Sequence, residues 1–351
     1  MRVERKKESD DLFPSVPGLH VETMAEAQKH VDNLTKPLGA LGRLEETFVR
    51  LAGITGETVP SLDRKVVVVF CGDHGVTEEG VSAYPSEVTG LMIRNFCDGK
   101  AAVNVFARCY GAKVRVVDVG SQLTELPAGV LNRKVRAGTA NMVKGPAMSG
   151  AEAIQAIRVG LEMAQEMKEQ GFQLAAVGEM GIGNTTAAAA VSASLTGRPV
   201  EELVGRGTGI DDVALKKKGE AIRRSLEVNQ PDPSDPLDVL AKVGGLELAA
   251  MTGFILGACA QRLSTVIDGV ISTASALAAF RLVPGVRDYL FASHLSEEPA
   301  HQVLLKQLEL DPLIDASMRL GEGSGAVLSF PLFDGAVAAA REMATFADLG
   351  M

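Results

Sequence analysis

Tryptophan is missing from this 351-residue chain, and aromatic residues together make up only 4% of it. So few rings cannot build the stacking platforms on which single-stranded nucleic acid is held. Basic residues are also scarce: 35 lysines and arginines stand against 44 aspartates and glutamates, a net charge of −9. Phosphate backbones are held by basic surfaces, so no nucleic acid is expected as a partner. The four cysteines (Cys71, Cys97, Cys109 and Cys259) have no CxxC spacing, which suits reduced thiols better than disulfides. No apolar run approaches the roughly 20 residues of a membrane span, so no membrane is expected either. The stretch from Met1 to Asp11 lacks an apolar h-region and is too acidic for a transit peptide. It reads as part of a flexible, solvated arm over 1–20 of a soluble, cytoplasmic protein.

What the chain does have is room for a sizeable core and an interior rich in Ala, Gly, Val and Leu, suited to helix-on-sheet packing. Met24, Ala27, Val31 and Leu34 recur at helical spacing, and Lys36-Pro37-Leu38-Gly39 closes that helix. A second helix follows through Leu44, Phe48 and Leu51. The β-branched run Lys65-Val66-Val67-Val68-Val69-Phe70 reads as a buried parallel strand. Further strands are expected at Val114-Arg115-Val116-Val117-Asp118-Val119, Leu174-Ala175-Ala176-Val177, Thr265-Val266-Ile267-Asp268 and Tyr289-Leu290-Phe291-Ala292. Helices expected over 88–110, 151–169 and 245–260 separate them, and an apolar helix over 326–343 follows the last. This alternation implies an α/β fold with a doubly wound parallel sheet. The outlying helices at both chain ends are free to pack together beside it. The proline-rich segment from Asn229 to Pro236 reads as a loop within a domain.

In open α/β folds, ligands bind beyond the carboxyl ends of the strands, and polar residues and glycines gather there in this sequence. The third strand runs into Gly178-Glu179-Met180-Gly181-Ile182-Gly183-Asn184-Thr185-Thr186 and then an alanine-rich helix. Free N–H groups and hydroxyls at such a helix start suit an anion, or else an ordinary N-cap. A second glycine loop, Gly205-Arg206-Gly207-Thr208-Gly209, precedes Lys216-Lys217-Lys218 and suits a phosphate. Neither loop is a GxxxxGK[ST] or a complete GxGxxG nucleotide fingerprint. The run Arg319-Leu320-Gly321-Glu322-Gly323-Ser324-Gly325-Ala326 sets one carboxylate among three glycines and a serine. A carboxylate on such a loop suits either a general base or a solvated turn. Asp73-His74 reads as a buried, hydrogen-bonded structural pair rather than a metal or acid/base pair. His294 and His301 are too isolated for zinc, so no metal is expected.

Together these segments resemble the nicotinate-nucleotide–dimethylbenzimidazole phosphoribosyltransferases. The matching stretches are the run from Lys36 to Glu45, Asp73-His74-Gly75-Val76, Pro85-Ser86-Glu87-Val88-Thr89, the run from Gly178 to Thr186, Gly244-Gly245-Leu246-Glu247-Leu248, Ser293-His294-Leu295-Ser296 and the run from Arg319 to Ala326. They come in the family's order, from about residue 20 to the C-terminus. The resemblance implies transfer of ribose 5-phosphate from nicotinate mononucleotide to an azole nitrogen of the cobamide lower ligand. It makes Glu322 the catalytic base, with Glu179 facing the ribose hydroxyls or the developing positive charge. Gly181, Asn184, Thr185, Gly205, Gly207, Lys218 and Ser296 become candidates for holding nicotinate mononucleotide. Tyr84, Met92, Met180 and Leu320 become the wall for the lower ligand. At the first three of these, some family members carry Ser, Gln and Leu. The softer lining here leaves room for a phenol or p-cresol in place of 5,6-dimethylbenzimidazole.

The resemblance also implies a sheet of about six strands and a small helical domain built from 21–60 and 326–351, beside a catalytic domain over 61–325. A homodimer is implied, with a heterodimer of related chains as the alternative. Nicotinate leaves from a nitrogen that is already cationic, so no cofactor is expected. Two other readings compete. A nicotinamide-dependent dehydrogenase has the α/β pattern in its favour but lacks the third glycine and a clear acidic residue about 20 positions on. An inactive binding or regulatory paralogue would be expected to lose the base, and Glu179 and Glu322 are both present.

Overall fold

The computed structural model describes residues 13–350. Helices α1 (Val21–Asp32) and α2 (Arg43–Thr55) precede the first strand, β1 (Lys65–Gly72). Helices α3 (Val88–Cys97) and α4 (Ala102–Cys109) lead into β2 (Ala112–Gly120) and the short β3 (Val130–Asn132). Next come α5 (Gly150–Glu169), β4 (Leu174–Met180) and α6 (Asn184–Thr196). Then α7 (Val200–Leu203), α8 (Asp212–Asn229), α9 (Pro236–Val243) and α10 (Leu246–Ala260) run to β5 (Ser264–Ile267). The order closes with α11 (Val270–Leu282), β6 (Leu290–Ala292), β7 (His294–Ser296), α12 (Pro299–Leu308), β8 (Ile314–Met318) and α13 (Ser324–Glu342).

Six strands form one sheet in the order β3-β2-β1-β4-β5-β6, and all neighbours are parallel. The chain winds one way from β1 through β2 and β3, then returns to place β4 on the other side of β1. Such a reversal opens a crevice at the carboxyl ends of the strands. All eight residues of β1 are buried, because helices cover both faces. Phe70 meets Phe254 of α10 edge-on at 5.9 Å. Val67, an odd number of positions away and so on the opposite face, lies under Gly323 at the start of α13. Helix α10 is buried from Leu246 to Cys259, as expected of a helix that is apolar all round.

Several expectations change in detail. The single helix expected over 88–110 is two helices, because Gly99 adopts the left-handed conformation (φ +71°) that ends α3 before α4 begins. β3 joins the sheet edge with only three residues, and β7 and β8 form a separate two-stranded pair. None of the three carries the continuous buried apolar run that marks β5 and β6. The first twelve residues of the arm expected over 1–20 lie outside the described residues. The rest of that stretch is packed: Phe13, Val16 and Leu19 rest against the core, and Tyr289 donates a 2.8 Å hydrogen bond to the Pro17 carbonyl. From the two chain ends, α1 packs on α2 and α13 packs on α2. Leu34 and Thr345 bridge them in antiparallel fashion. Among the described residues no helix is long and apolar enough to cross a membrane.

Helices α5 and α10 approach each other backbone to backbone. A Cβ on Gly160 would collide with the backbone of Ala250 and Phe254, and one on Gly253 would collide with the backbone of Ile157. Backbone cannot swing aside as a side chain can, so Gly160→Ala must push the helices apart. We expect it to destabilise the fold by about 1–3 kcal/mol, read as a lower denaturant midpoint at constant m-value. An unchanged midpoint would show that the helices separate freely.

Candidate active site

The sheet's carboxyl ends open into a cleft of about 600 Å³. Its floor is the end of β4, where Glu179 and Met180 give way to the turn before α6. Gly183 takes a left-handed conformation there (φ +96°), and Asn184 and Thr185 begin the helix with their side chains at the cleft. Glu179 is buried and accepts hydrogen bonds from the Asn184 amide and, at 3.3 Å, from the backbone N–H of Glu322. Burial, reinforced by the charge of Asp268, pushes its carboxyl well above the usual carboxylate range.

Glu322 enters from the opposite wall. Gly321, Glu322 and Gly323 have φ of +87°, +66° and +82°, so three consecutive residues are left-handed. Glycine takes this shape without cost, and the glutamate does not. Gly178 allows the turn to sit where it does, since a Cβ there would strike the Glu322 carbonyl and the Gly323 nitrogen. Glu322 lines the cleft, and its carboxylate Oε2 is buried without a hydrogen-bond partner among the described residues. Burial raises its pKa to about 7, with the charge of Asp268 adding to the rise and the Val103 backbone N–H opposing it.

Of the residues the sequence put forward for nicotinate mononucleotide, Gly181, Asn184, Thr185, Gly207 and Ser296 line this cleft. Gly205 and Lys218 stand behind it. Lys218 is buried and donates to Thr185 Oγ1 at 2.7 Å and to the Gly205 carbonyl at 3.0 Å. Burial lowers its pKa to about 8, while Glu298 holds it up. The Glu298 carboxylate also accepts the Gly207 N–H at 2.8 Å and so shapes the 205–209 loop. On the other side, Tyr84, Met92, Met180 and Leu320 form an apolar wall. Tyr84 and Leu320 are more than half exposed. Thr208 joins the two sides by accepting the Ala83 N–H at 2.9 Å, next to Tyr84.

Asp73 and His74 are both buried, but each is bonded elsewhere. Asp73 accepts the Gln122 N–H at 2.7 Å, and His74 Nε2 bonds Glu247 at 2.5 Å. Sequence reasoning missed Asp268, Glu298 and a role for His294. Asp268 ends one expected strand, and Glu298 lies two residues past Ser296, so position at a strand end was the available signal. His294, judged isolated, lines the cleft with Nδ1 3.7 Å from Asp268. His301 bonds Thr273 and the Ser296 N–H, and burial lowers its pKa to about 3, so its ring is neutral. Among the described residues no group of three or more His, Cys, Asp or Glu is placed to hold a metal ion.

A family model described as phosphoribosyltransferase matches residues 16–351. The chain belongs to this family. Similar phosphoribosyltransferases span nearly the whole chain. One from Desulforudis audaxviator, named nicotinate-nucleotide–dimethylbenzimidazole phosphoribosyltransferase, is 54% identical over 93% of this chain and 93% of its own. A relative of the same name from Geobacter sulfurreducens is 52% identical over 97% of each. Among solved structures, the crystal structure of CobT from Thermus thermophilus superposes with a TM-score of 0.90 at 49% identity. It covers 94% of this chain and 99% of its own. The six-stranded parallel sheet expected from the sequence is thus a fold this phosphoribosyltransferase shares with solved relatives.

Thr185 lines the cleft at the start of α6, and its hydroxyl, which accepts from the buried Lys218 ammonium behind it, keeps its own proton to donate. A donor at a helix start with a cation behind it suits a phosphate monoester. Lys218 is charged below its pKa of about 8, so affinity for inorganic phosphate should fall as pH rises through that value. Lys218→Met should weaken it by about 10–100-fold. Calorimetric titration checks both, and a variant that titrates like the parent would remove Lys218 from the anion site.

Proposed function

We propose that this phosphoribosyltransferase moves ribose 5-phosphate from nicotinate mononucleotide to a ring nitrogen of 5,6-dimethylbenzimidazole or a related base. The products are an α-linked riboside phosphate and nicotinate. The family, the names of the relatives and the chemistry of the cleft all support this reading. The observation that carries it is Glu322, a buried carboxylate with one oxygen unpartnered among the described residues, on a residue that lines the same cleft as Thr185 and the start of α6.

The bond from the ribose carbon to the nicotinate nitrogen breaks, and its electron pair returns to that nitrogen. The ring nitrogen was cationic, so it leaves neutral without needing a proton. The azole's basic nitrogen forms the new bond to the same carbon, and the proton on its other nitrogen passes to Glu322. Glu179 sits beneath the reacting carbon in this reading, where ionised it faces the growing positive charge and protonated it binds ribose hydroxyls. Gly181, Asn184, Thr185, Gly205, Gly207, Lys218 and Ser296 hold the nucleotide. The same reading assigns 21–60 with 326–351 to a helical domain and 61–325 to the catalytic one. It places the protein in the cytoplasm as a dimer with itself or a related chain. The exposed Tyr84 and Leu320 supply apolar surface at the cleft rim for such a contact.

Glu322→Gln keeps the size of the side chain and removes the proton acceptor. Turnover is expected to drop by at least about 100-fold, with nicotinate mononucleotide binding kept. The base must be ionised to work, so turnover in the parent protein should decline as pH falls through about 7. Incubation with nicotinate mononucleotide and 5,6-dimethylbenzimidazole, followed by mass identification of the riboside phosphate, tests both. Near-normal turnover in a folded Glu322→Gln protein would remove the assignment.

The acceptor wall supports a broader acceptor range, because methionine adapts to flat rings of varied shape. A phenol presents one proton to Glu322 as an azole does, but its pKa near 10 keeps the anion scarce at neutral pH. Transfer to phenol and p-cresol is therefore expected, more slowly than to benzimidazoles. Combining Tyr84→Ser with Met92→Gln should shift the ratio of kcat/KM values toward benzimidazoles. Absence of any phenolic product alongside normal benzimidazole turnover would confine the site to azoles.

A further inference from the structure

Helix α13 begins directly after Glu322, and its N-cap is Gly323, which has no side chain to accept the free amides of the first turn. A carboxylate from elsewhere in the fold takes that place. Asp268, at the carboxyl end of β5, accepts the Gly323 N–H at 3.0 Å and the Ala326 N–H at 2.9 Å. Its own backbone N–H donates to Ser272 Oγ at 2.9 Å, which ties it to the first turn of α11. Asp268 is 2% exposed, so these bonds do not compete with bulk water. The turn they hold contains the left-handed Glu322, the conformation this chain would leave first if released.

We propose that Asp268 is a positioning residue of the reaction, capping α13 from β5 and so keeping the Glu322 carboxylate turned into the cleft. This rests on the reading of Glu322 as the base. Asp268 also acts on that base through its charge. The ionisable groups around Glu322 are Glu179 from β4, Asp268 from the end of β5, His294 from β7, Glu298 before α12, and Arg319 on its own loop. Lys218 of α8 and Glu247 of α10 stand behind them. Among these side chains it is Asp268 whose charge makes Glu322 harder to ionise. Removing that charge must therefore extend the ionised form of Glu322 to lower pH.

Asp268→Asn tests both effects in the full-length protein. One amide oxygen cannot reproduce both charge-assisted bonds, so kcat should fall by about 10–100-fold, with the KM for nicotinate mononucleotide changed less than about twofold. The acid limb of the kcat profile should move to lower pH, which a loss of stability alone would not produce. Asp268→Glu, which restores the charge, should return the limb toward the parent position. A parental kcat and an unmoved limb would overturn the proposal. If Asp268→Asn does not fold, amide exchange in the parent protein decides. The Gly323 and Ala326 amides should exchange as slowly as interior amides of α13, and rapid exchange would overturn the proposal. The underlying reading fails separately: normal turnover in Glu322→Gln removes the base itself, whereas an inactive Glu322→Gln with a parental Asp268→Asn removes only the positioning role.

Discussion

The turn carrying Glu322 rests directly on the backbone of β4, at the one residue there without a side chain. Were Gly178 any larger, its Cβ would occupy the space of the Glu322 carbonyl and the Gly323 nitrogen. Because the approach is backbone on backbone, the position of the carboxylate is set by the sheet and not by a flexible loop. The rest of the cleft follows from it. The Glu322 N–H reaches Glu179 from this position, and the Gly323 and Ala326 amides reach Asp268. Three consecutive left-handed residues complete a shape that would not persist unless its surroundings enforced it.

Acidic side chains cluster unusually densely behind this turn. Asp73, Glu179, Glu247, Asp268 and Glu322 are all buried, and burial of ionised carboxylates is costly unless they are bonded. Most of that cost is offset locally. Asp73 has a backbone amide, Asp268 has two, Glu247 has His74, and Glu179 has the Asn184 amide. Asp73, Glu247 and Glu322 each keep one oxygen without a hydrogen-bond partner among the described residues. Of the three only Glu322 lines the cleft, and burial raises its pKa to about 7. A carboxylate that titrates near neutral pH can accept a proton and release it again, which suits a base that must turn over. Lys218 is displaced in the complementary direction by the same burial. One dry cleft thus produces both a stronger base and a weaker cation than water would.

The main architecture was legible because its signals are local. The valine run of β1 and the apolar helices between strands carry period and length that survive without tertiary information. The glycine turns were legible for a related reason, since Gly183, Gly321 and Gly323 take left-handed shapes that other residues avoid and Gly181 lies too close to the Gly72 carbonyl for a side chain. What stayed hidden left a weak local mark or depended on a neighbour. β3, β7 and β8 carry no continuous buried apolar run, unlike the comparably short β5 and β6. The break at Asp98-Gly99-Lys100 is short and lies between two apolar helical stretches. His294 was set aside as isolated because its partner, Asp268, lies 26 residues earlier in the chain.

The sequence by itself determined the α/β class, the parallel sheet, the family and the identity of the chemical groups at the strand ends. It could do so because strand and helix periods, glycine turns and motif order are properties of the chain alone. Only the tertiary structure decided which of those groups work together. Placing Asp268 against the start of α13 and Glu298 against Gly207 is the work of the sheet order, which brings distant strand ends to one edge. The proton affinities of Glu322 and Lys218 come from water excluded by residues far away in sequence. No reading of local pattern can supply that, because burial is a property of the assembled fold.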